Sequence, residues 1–120
     1  MKRDAGFYEW VLHDLFNGIR GITSRSMFGG YGFYLNGAIF GIIADGRLYF
    51  KTDESAMADF KKHGSQPFRY SAKDRTQVTM GYWELPEEIM EDRDKLIAWV
   101  KRAAATSKKK LTRKDAGRRK

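Results

Sequence analysis

The sequence predicts an α+β domain in which helices flank an antiparallel sheet of about five strands, in the order α-β-β-β-α-β-β-α. Apolar residues recur at three- and four-residue steps near both ends of the chain, which is the spacing of a helix face. Between them, short segments rich in aromatic and branched residues are divided by Asn-Gly and Asp-Gly pairs, which favour hairpin turns. With 120 residues, 42% of them hydrophobic, the chain is the size of one domain with one core.

The first helix is predicted to begin at Asp4, because a carboxylate at this position caps the free N–H groups of a first turn. It is predicted to end at Asn17-Gly18, a typical stop signal. Its apolar residues share one side of the helix: Phe7, Tyr8, Val11, Leu12, Leu15 and Ile19.

Three strands are predicted to follow as a meander. Asn36-Gly37 and Asp45-Gly46 favour positive φ at both central positions of a type I′ turn, whose twist matches that of antiparallel strands. We therefore pair residues 32–35 with residues 38–43, and the latter with residues 48–51.

A short second helix and two further strands complete the predicted sheet. Thr52 is predicted to cap the helix, and His63-Gly64 to end it. Residues 68–70 and 77–84 have the composition of strands around a polar loop. The helix residues expected to face inward are Ala56, Met57 and Phe60.

The last helix is predicted to start at Asp92, after a helical turn opened by Pro86. Beyond Ser107 the apolar periodicity stops, so residues 1–107 are predicted to form the domain and residues 108–120 a disordered tail. The predicted inner face of this helix consists of Leu96, Ile97, Trp99, Val100, Ala103 and Ala104.

The net charge of +8 is concentrated in this tail. The tail carries one acidic residue, Asp115, whereas acidic and basic residues nearly balance over residues 1–107. Clustered cations gain affinity by displacing counterions from phosphate, so the tail is predicted to contact DNA or RNA without sequence preference; a purely solvating tail is the alternative. The predicted contact residues are Lys108, Lys109, Lys110, Arg113, Lys114, Arg118, Arg119 and Lys120.

The sequence also predicts a cytoplasmic protein with no membrane partner. It has no cysteine, which fits a reducing compartment, and its first residues lack the pattern of a secretory signal. Residues 38–44 form the longest apolar-rich stretch, far short of the roughly 20 residues that a membrane-spanning helix needs.

Four motifs, in this order and spacing, identify a family. The chain resembles the N-terminal domain of the TfoX/Sxy family from about Phe7 to Ala104. The motifs are Met27-Phe28-Gly29-Gly30-Tyr31-Gly32-Phe33-Tyr34, Asp45-Gly46-Arg47-Leu48-Tyr49-Phe50-Lys51, Pro67-Phe68-Arg69-Tyr70 and Met80-Gly81-Tyr82-Trp83-Glu84-Leu85-Pro86.

The resemblance implies an antiparallel sheet with flanking helices, akin to the secretion-chaperone-like and YjbR-like folds. It also implies a link to natural competence, since the larger family members regulate competence genes alongside the cyclic-AMP receptor protein. We expect the present chain to lack the helical C-terminal domain of those members and to carry its basic tail instead.

The family-motif residues are expected to serve structure rather than chemistry. Consecutive glycines typically mark a bulge or bend in a sheet, although a cleft for a small molecule or substrate at Gly29 to Gly32 is an open alternative. Strand alternation predicts one buried and one partly exposed residue in the Tyr82-Trp83 pair. The residues in this group are Met27, Phe28, Gly29, Gly30, Gly32, Lys51, Tyr82, Trp83 and Pro86.

No catalytic, metal or cofactor motif stands out in the sequence. His13 and His63 fall on a polar helix side and at a helix end, and neither belongs to a zinc-binding spacing. The acidic residues of 87–94 lie where two helices start, which the helix dipole favours. The dinucleotide-binding glycine pattern is absent, and the resemblance of residues 30–33 to an RNA-recognition strand fails at its flanking positions.

The sequence thus predicts a noncatalytic regulatory or interaction protein whose body binds a transcription-regulatory protein and whose tail contacts nucleic acid. A homodimer formed through an open sheet edge or in a chaperone-like manner is a further alternative.

Overall fold

The computed structural model describes residues 5–27, 29–72 and 75–118, so the predicted cap Asp4 lies outside the described residues. The strands are β1 (Ile22–Met27), β2 (Gly30–Leu35), β3 (Ala38–Ala44), β4 (Arg47–Lys51), β5 (Pro67–Ala72) and β6 (Arg75–Glu84). The helices are α1 (Ala5–Trp10), which continues as a π-helical turn (Val11–Leu15), α2 (Glu54–Lys62), α3 (Glu87–Met90) and α4 (Arg93–Arg118).

The strands form one antiparallel sheet in the order β1-β2-β3-β4-β6-β5, which confirms the predicted α+β class. Asn36-Gly37 joins β2 to β3 and Asp45-Gly46 joins β3 to β4, and these four residues have φ values between 50° and 87°. Both turns therefore have the positive φ pair that a type I′ turn requires. The predicted pairing of the three meander strands is confirmed, and a bulge between Phe33 and Tyr34 shifts the register of β2 against β3.

The described sheet has six strands, whereas the sequence predicts about five. The additional strand is β1, which pairs with β2 from Ile22 opposite Leu35 to Met27 opposite Gly30. Between its two apolar ends, β1 contains only polar residues. It is an edge strand held by backbone pairing rather than by a buried side-chain row, so hydrophobic alternation does not reveal it.

The hydrophobic core lies between the sheet and the four helices, and we call this side of the sheet the core face. Phe33, Phe50 and Trp83 line it from three strands and are each at most 3% exposed. Phe16 packs edge-on against Phe33 and Phe40, with ring centroids 5.3 and 5.4 Å apart. The helical part of the core comprises Val11, Leu15, Ala56, Phe60, Ile89, Leu96, Val100, Ala103 and Ala104.

Helix α2 is capped by Asp53 and not, as the sequence predicts, by Thr52. The Asp53 carboxylate accepts a hydrogen bond of 2.8 Å from the backbone N–H of Ala56. Thr52 is buried at the end of β4. Both residue types cap helices well, so their local preferences do not decide between adjacent positions. The predicted end of α2 at His63-Gly64 is confirmed.

Helix α4 begins as predicted, with the Asp92 carboxylate accepting from the backbone N–H of Lys95 at 3.2 Å. Its last turn against the sheet includes Thr106, which is buried, and Ser107, which is partly exposed. The Ser107 hydroxyl donates to the Ile39 carbonyl at 2.7 Å. The helical backbone then continues to Arg118, where the sequence predicts disorder. Lys, Arg, Leu and Ala are good helix formers, and an anchored helix extends without a new nucleation cost. Among the described helices, none is long and apolar enough to cross a membrane.

Candidate functional site

The glycine corner between β1 and β2 is filled by protein over the part that the structure describes. Gly29 turns the chain with φ of 78°. A Cβ on Gly30 would collide with the backbone carbonyl oxygen of Ile43, and one on Gly32 would lie 2.9 Å from Cε of Met27. Such close approach is a common reason for glycine in strands. This geometry gives no support to a cleft at the corner. Phe28 lies outside the described residues.

The two histidines occupy separate, ordinary surface pairs. Nε2 of His13 lies 3.1 Å from a carboxylate oxygen of Glu9, one helical turn away. Nδ1 of His63 lies 2.9 Å from a carboxylate oxygen of Glu88, at the end of α2. Across the described residues, no cluster of three or more acidic or histidine side chains is placed to hold a metal ion.

An open groove of about 540 Å³ lies between the end of α2, the end of β6 and α3. Its wall includes Ser65, whose hydroxyl donates to the backbone carbonyl of Glu84. The acidic residues Glu87 and Glu88 lie in the first turn of α3, where the helix dipole stabilises negative charge. The groove therefore contains polar side chains in structural roles, and the described part of it does not join a nucleophile to a base.

A second groove, of about 280 Å³, runs between the π-helical turn and the start of α4. Trp10 stands on its rim and is 41% exposed, while Leu15, Met90 and Leu96 form its apolar wall. Exposed Trp residues are frequent anchors of protein interfaces, and π-helical turns recur at functional positions. We call this the Trp10 groove. The apolar repeat of the first helix does not include Trp10, so the sequence pattern does not identify this residue as part of a site.

The sheet side opposite the core carries two pairs of cations and tyrosine rings, and we call this side the outer face. The guanidinium carbon of Arg25 lies 5.8 Å from the ring centre of Tyr34, and Nζ of Lys51 lies 5.0 Å from that of Tyr82. Tyr34, Lys51 and Tyr82 each adjoin a core-face residue along their strand, so strand alternation turns them outward.

Burial makes two outer-face phenols, which are already neutral at physiological pH, still harder to ionise. It raises the pKa of Tyr82 above its usual value, and the nearby Tyr34 adds to the effect. It also raises the pKa of Tyr49, with a further contribution from the carboxylate of Glu84. Glu84 in turn accepts from the guanidinium of Arg47 at 3.0 Å. The outer face thus offers neutral tyrosines beside cationic side chains at physiological pH.

The family-motif residues on β4 and β6 divide between the two sheet faces. Lys51 and Tyr82 are directly opposite each other in the β4–β6 pair and lie on the outer face. Trp83 is 3% exposed in the core, and Pro86 precedes the first turn of α3. The proximity of Lys51 and Tyr82 is not visible in the sequence, because α2 and β5 separate β4 from β6 along the chain.

The basic tail begins where α4 leaves the sheet. Lys108, the first of its cations, is exposed directly after the Ser107 contact with β3. The other predicted nucleic-acid-binding side chains lie outside the described part of the structure: Lys109, Lys110, Arg113, Lys114, Arg118, Arg119 and Lys120.

Comparison with known proteins finds one family model and two curated relatives. The model of the TfoX N-terminal domain matches residues 14–107. DNA transformation protein TfoX1 of Aliivibrio fischeri is 32% identical over 86 residues, which cover 72% of this chain and 41% of that protein. Protein Sxy of Escherichia coli is 30% identical over 93 residues, which cover 77% of this chain and 44% of that protein. The matched region thus spans less than half the length of either relative.

Proposed function

This chain belongs to the TfoX N-terminal domain family, and from that premise we propose that it is a cytoplasmic, noncatalytic regulator of competence gene expression. In this proposal the domain binds a regulatory protein, and the basic tail adds affinity for nucleic acid that does not depend on sequence. The name of one relative, DNA transformation protein, supports the link to DNA uptake.

The observation that carries the nucleic-acid part is the separation of charge along the chain. Residues 108–120 contain eight basic residues and one acidic residue, whereas the rest of the chain is nearly balanced. Binding to phosphate gains free energy from the release of counterions, and this gain depends on a local density of cations rather than on net charge. The tail has that density, and the domain as a whole does not.

The geometry of α4 supports the same proposal. Thr106 and Ser107 belong to the last turn that packs against the sheet, and the exposed Lys108 follows directly. A helix rises about 1.5 Å per residue, so the backbone of residues 108–118 extends about 16 Å beyond this anchor. Phosphates of a duplex are therefore within reach without contact to the domain.

A salt series on duplex DNA tests the tail. The full chain is compared with a chain that ends at Ser107, and affinity is measured by fluorescence anisotropy from about 50 to 300 mM salt. If about six tail cations contact phosphates, log affinity falls against log salt with a slope near −5 for the full chain. Equal affinities and equal slopes for the two chains would reject the tail as the contact.

The Trp10 groove is the surface that we propose for the protein partner. It combines an exposed Trp with an apolar wall from Leu15, Met90 and Leu96 and a charged rim that includes Asp14. Truncation of an interface anchor of this type to Ala commonly costs the complex about 2 kcal/mol or more of binding free energy.

Affinity capture tests this surface with baits that differ in one aromatic side chain. The full chain and its Trp10→Ala variant are used as baits in extracts of a bacterium that encodes the protein, with Trp99→Phe as a control in which a half-buried Trp away from the groove is replaced. A partner retained by the parent and the control but lost by Trp10→Ala supports the proposal. Capture that is the same for all three baits would place the partner elsewhere.

A homodimer is a second candidate, because β1 is an edge of the described sheet and contains no Pro to block pairing. Strand addition at this edge would join two sheets through backbone hydrogen bonds. Sedimentation of the full chain at several concentrations tests it, and a monomer mass at the highest concentration would reject it.

A further inference from the structure

We propose that the outer face of the sheet is a binding surface for single-stranded nucleic acid, with Arg25 and Lys51 on phosphates and the rings of Tyr34 and Tyr82 beneath bases. This site lies on the domain and does not depend on the tail, so it extends the proposed function rather than resting on it.

The described strands carry more cations than carboxylates on the outer face. The cations are Arg25, Arg47 and Lys51; the carboxylates are Glu84, which is bonded to Arg47, and Asp45 in the β3–β4 turn, whose charge acts on Tyr49. The described part of this face thus has a small excess of positive charge that the near neutrality of the whole domain conceals. An anionic polymer complements such a face, whereas a cationic or neutral polymer does not.

Each cation of the two pairs lies beside a tyrosine ring. Each cation lies within 6 Å of a ring centre, the range in which a ring quadrupole attracts a cation. Tyr34 and Lys51 lie on β2 and β4, which both pair with β3, so they are about 10 Å apart across the sheet. The pairs therefore form a row across the strands rather than one compact pocket. This arrangement suits an extended chain better than a small ligand.

The tyrosine rings of the outer face suit single strands better than duplexes. Tyrosine rings on a sheet stack on unpaired bases, each of which offers a flat face whatever its identity. A sheet face of this width does not enter the grooves of a duplex in the way that a helix does. Tyr34 and Tyr82 are both partly exposed, so their rings can be reached from solvent. Single strands are thus the favoured occupant, and duplexes are the comparison.

All four helices contribute side chains to the core, so they lie on the opposite side of the sheet from the outer-face cations and tyrosines. Arg25 is exposed, and its neighbour Ser24 is turned the other way, since its hydroxyl is 2.7 Å from that of Tyr8 on α1. The outer-face pairs are therefore separate from the Trp10 groove, and a protein partner and a nucleic acid could be bound at the same time.

The test uses the full chain in a tail-neutral form, in which Gln replaces Lys108, Lys109, Lys110, Arg113, Lys114, Arg118, Arg119 and Lys120. Binding to a labelled oligothymidylate of about 16 nucleotides is measured by anisotropy at about 100 mM salt. In this background, Arg25→Gln with Lys51→Gln is compared with Lys62→Gln with Lys101→Gln, two exposed helix cations whose removal changes the net charge equally.

Each phosphate contact to a single strand contributes about 0.7 to the salt slope, which is about a five-fold effect per contact between 1 M and 0.1 M salt. The Arg25 and Lys51 double variant should therefore lose about 25-fold in affinity, and the helix control should lose less than about two-fold. Equal losses in the two double variants, or no measurable binding by the tail-neutral chain, would overturn the proposal. If parent and tail-neutral chains bind duplex DNA equally, the tail proposal fails while the outer-face result still stands.

Photocrosslinking supplies a readout that needs no variant. A single strand that contains 5-iodouracil is irradiated with the unmodified chain, and the crosslinked peptide is located by mass spectrometry. A crosslink to Tyr34 or Tyr82 is expected. Crosslinks confined to the tail or to the helices would contradict the assignment.

Discussion

Replacing Gly30 with Ala should destabilise the domain strongly, because the new methyl group would collide with backbone rather than with a side chain. A Cβ at this position meets the carbonyl oxygen of Ile43 in β3. That oxygen moves only if β2 and β3 separate locally. Overpacking of this kind costs about 1–3 kcal/mol, and a lost ladder hydrogen bond costs about 1 kcal/mol more. The expected loss is about 2–4 kcal/mol, or about 8–20 °C in Tm for a domain of this size.

The matched control is Gly32→Ala, two residues along the same strand. Its Cβ would lie 2.9 Å from Cε and 3.1 Å from Sδ of Met27, the far end of a flexible side chain that can move aside. The expected loss is below about 1 kcal/mol, since Ala also reduces the entropy of the unfolded chain. Urea denaturation followed by circular dichroism measures both variants. Equal losses, or a stable Gly30→Ala, would refute the reasoning about backbone contact.

Three further predictions concern the helix cap and pH. Asp53→Ala should cost about 0.5–2 kcal/mol in urea denaturation, because it leaves the N–H of Ala56 without its acceptor. That hydrogen bond lowers the pKa of Asp53 below 3.8, and a hydrogen bond from Arg102 does the same for Asp59. Because both carboxyls have a lower pKa in the folded state, the free energy of unfolding should decrease as pH falls below about 4. The decrease should be less steep in Asp53→Ala, and the same slope in parent and variant would contradict this prediction. Burial raises the pKa of Tyr82 above 10.0, so thermal stability should fall as pH rises past 10, and Tyr82→Phe should weaken that fall.

The parts of the fold that follow from the sequence are those fixed by local chemistry. Asn36-Gly37 and Asp45-Gly46 predict their turn type because Asn, Asp and Gly accept positive φ more readily than other residues. Those turns set which strands pair and the register beside each turn, whereas the register shift between Phe33 and Tyr34 does not follow from them. Asp92 is likewise a cap that local preference identifies.

Features that depend on distant neighbours are not visible in the sequence. Strand β1 has four polar residues in a row and is recognised only through its pairing with β2. The outer-face pair of Lys51 and Tyr82 depends on β4 meeting β6, two strands separated in sequence by a helix and another strand. The choice of Asp53 over Thr52 as the α2 cap depends on the burial of Thr52 at the end of β4.

The charge balance of the domain shows a similar limit. Acidic and basic residues nearly balance over residues 1–107. Taken alone, this balance predicts a domain without affinity for nucleic acid. The sheet concentrates Arg25 and Lys51 on one face, next to tyrosine rings, while the acidic residues of 87–94 lie at helix starts. Net charge therefore locates the tail, and only the folded arrangement locates the outer face.

We expect nucleic acid to be contacted at two places, the tail and the outer face, and the Trp10 groove to be left to a protein. Amide chemical-shift mapping of the ¹⁵N-labelled full chain tests it most directly. Duplex DNA should shift amides of residues 108–120 and leave the sheet unchanged, whereas oligothymidylate should also shift Arg25, Tyr34, Lys51 and Tyr82. Shifts centred on Trp10 and the start of α4, or no shifts in residues 108–120, would contradict the account.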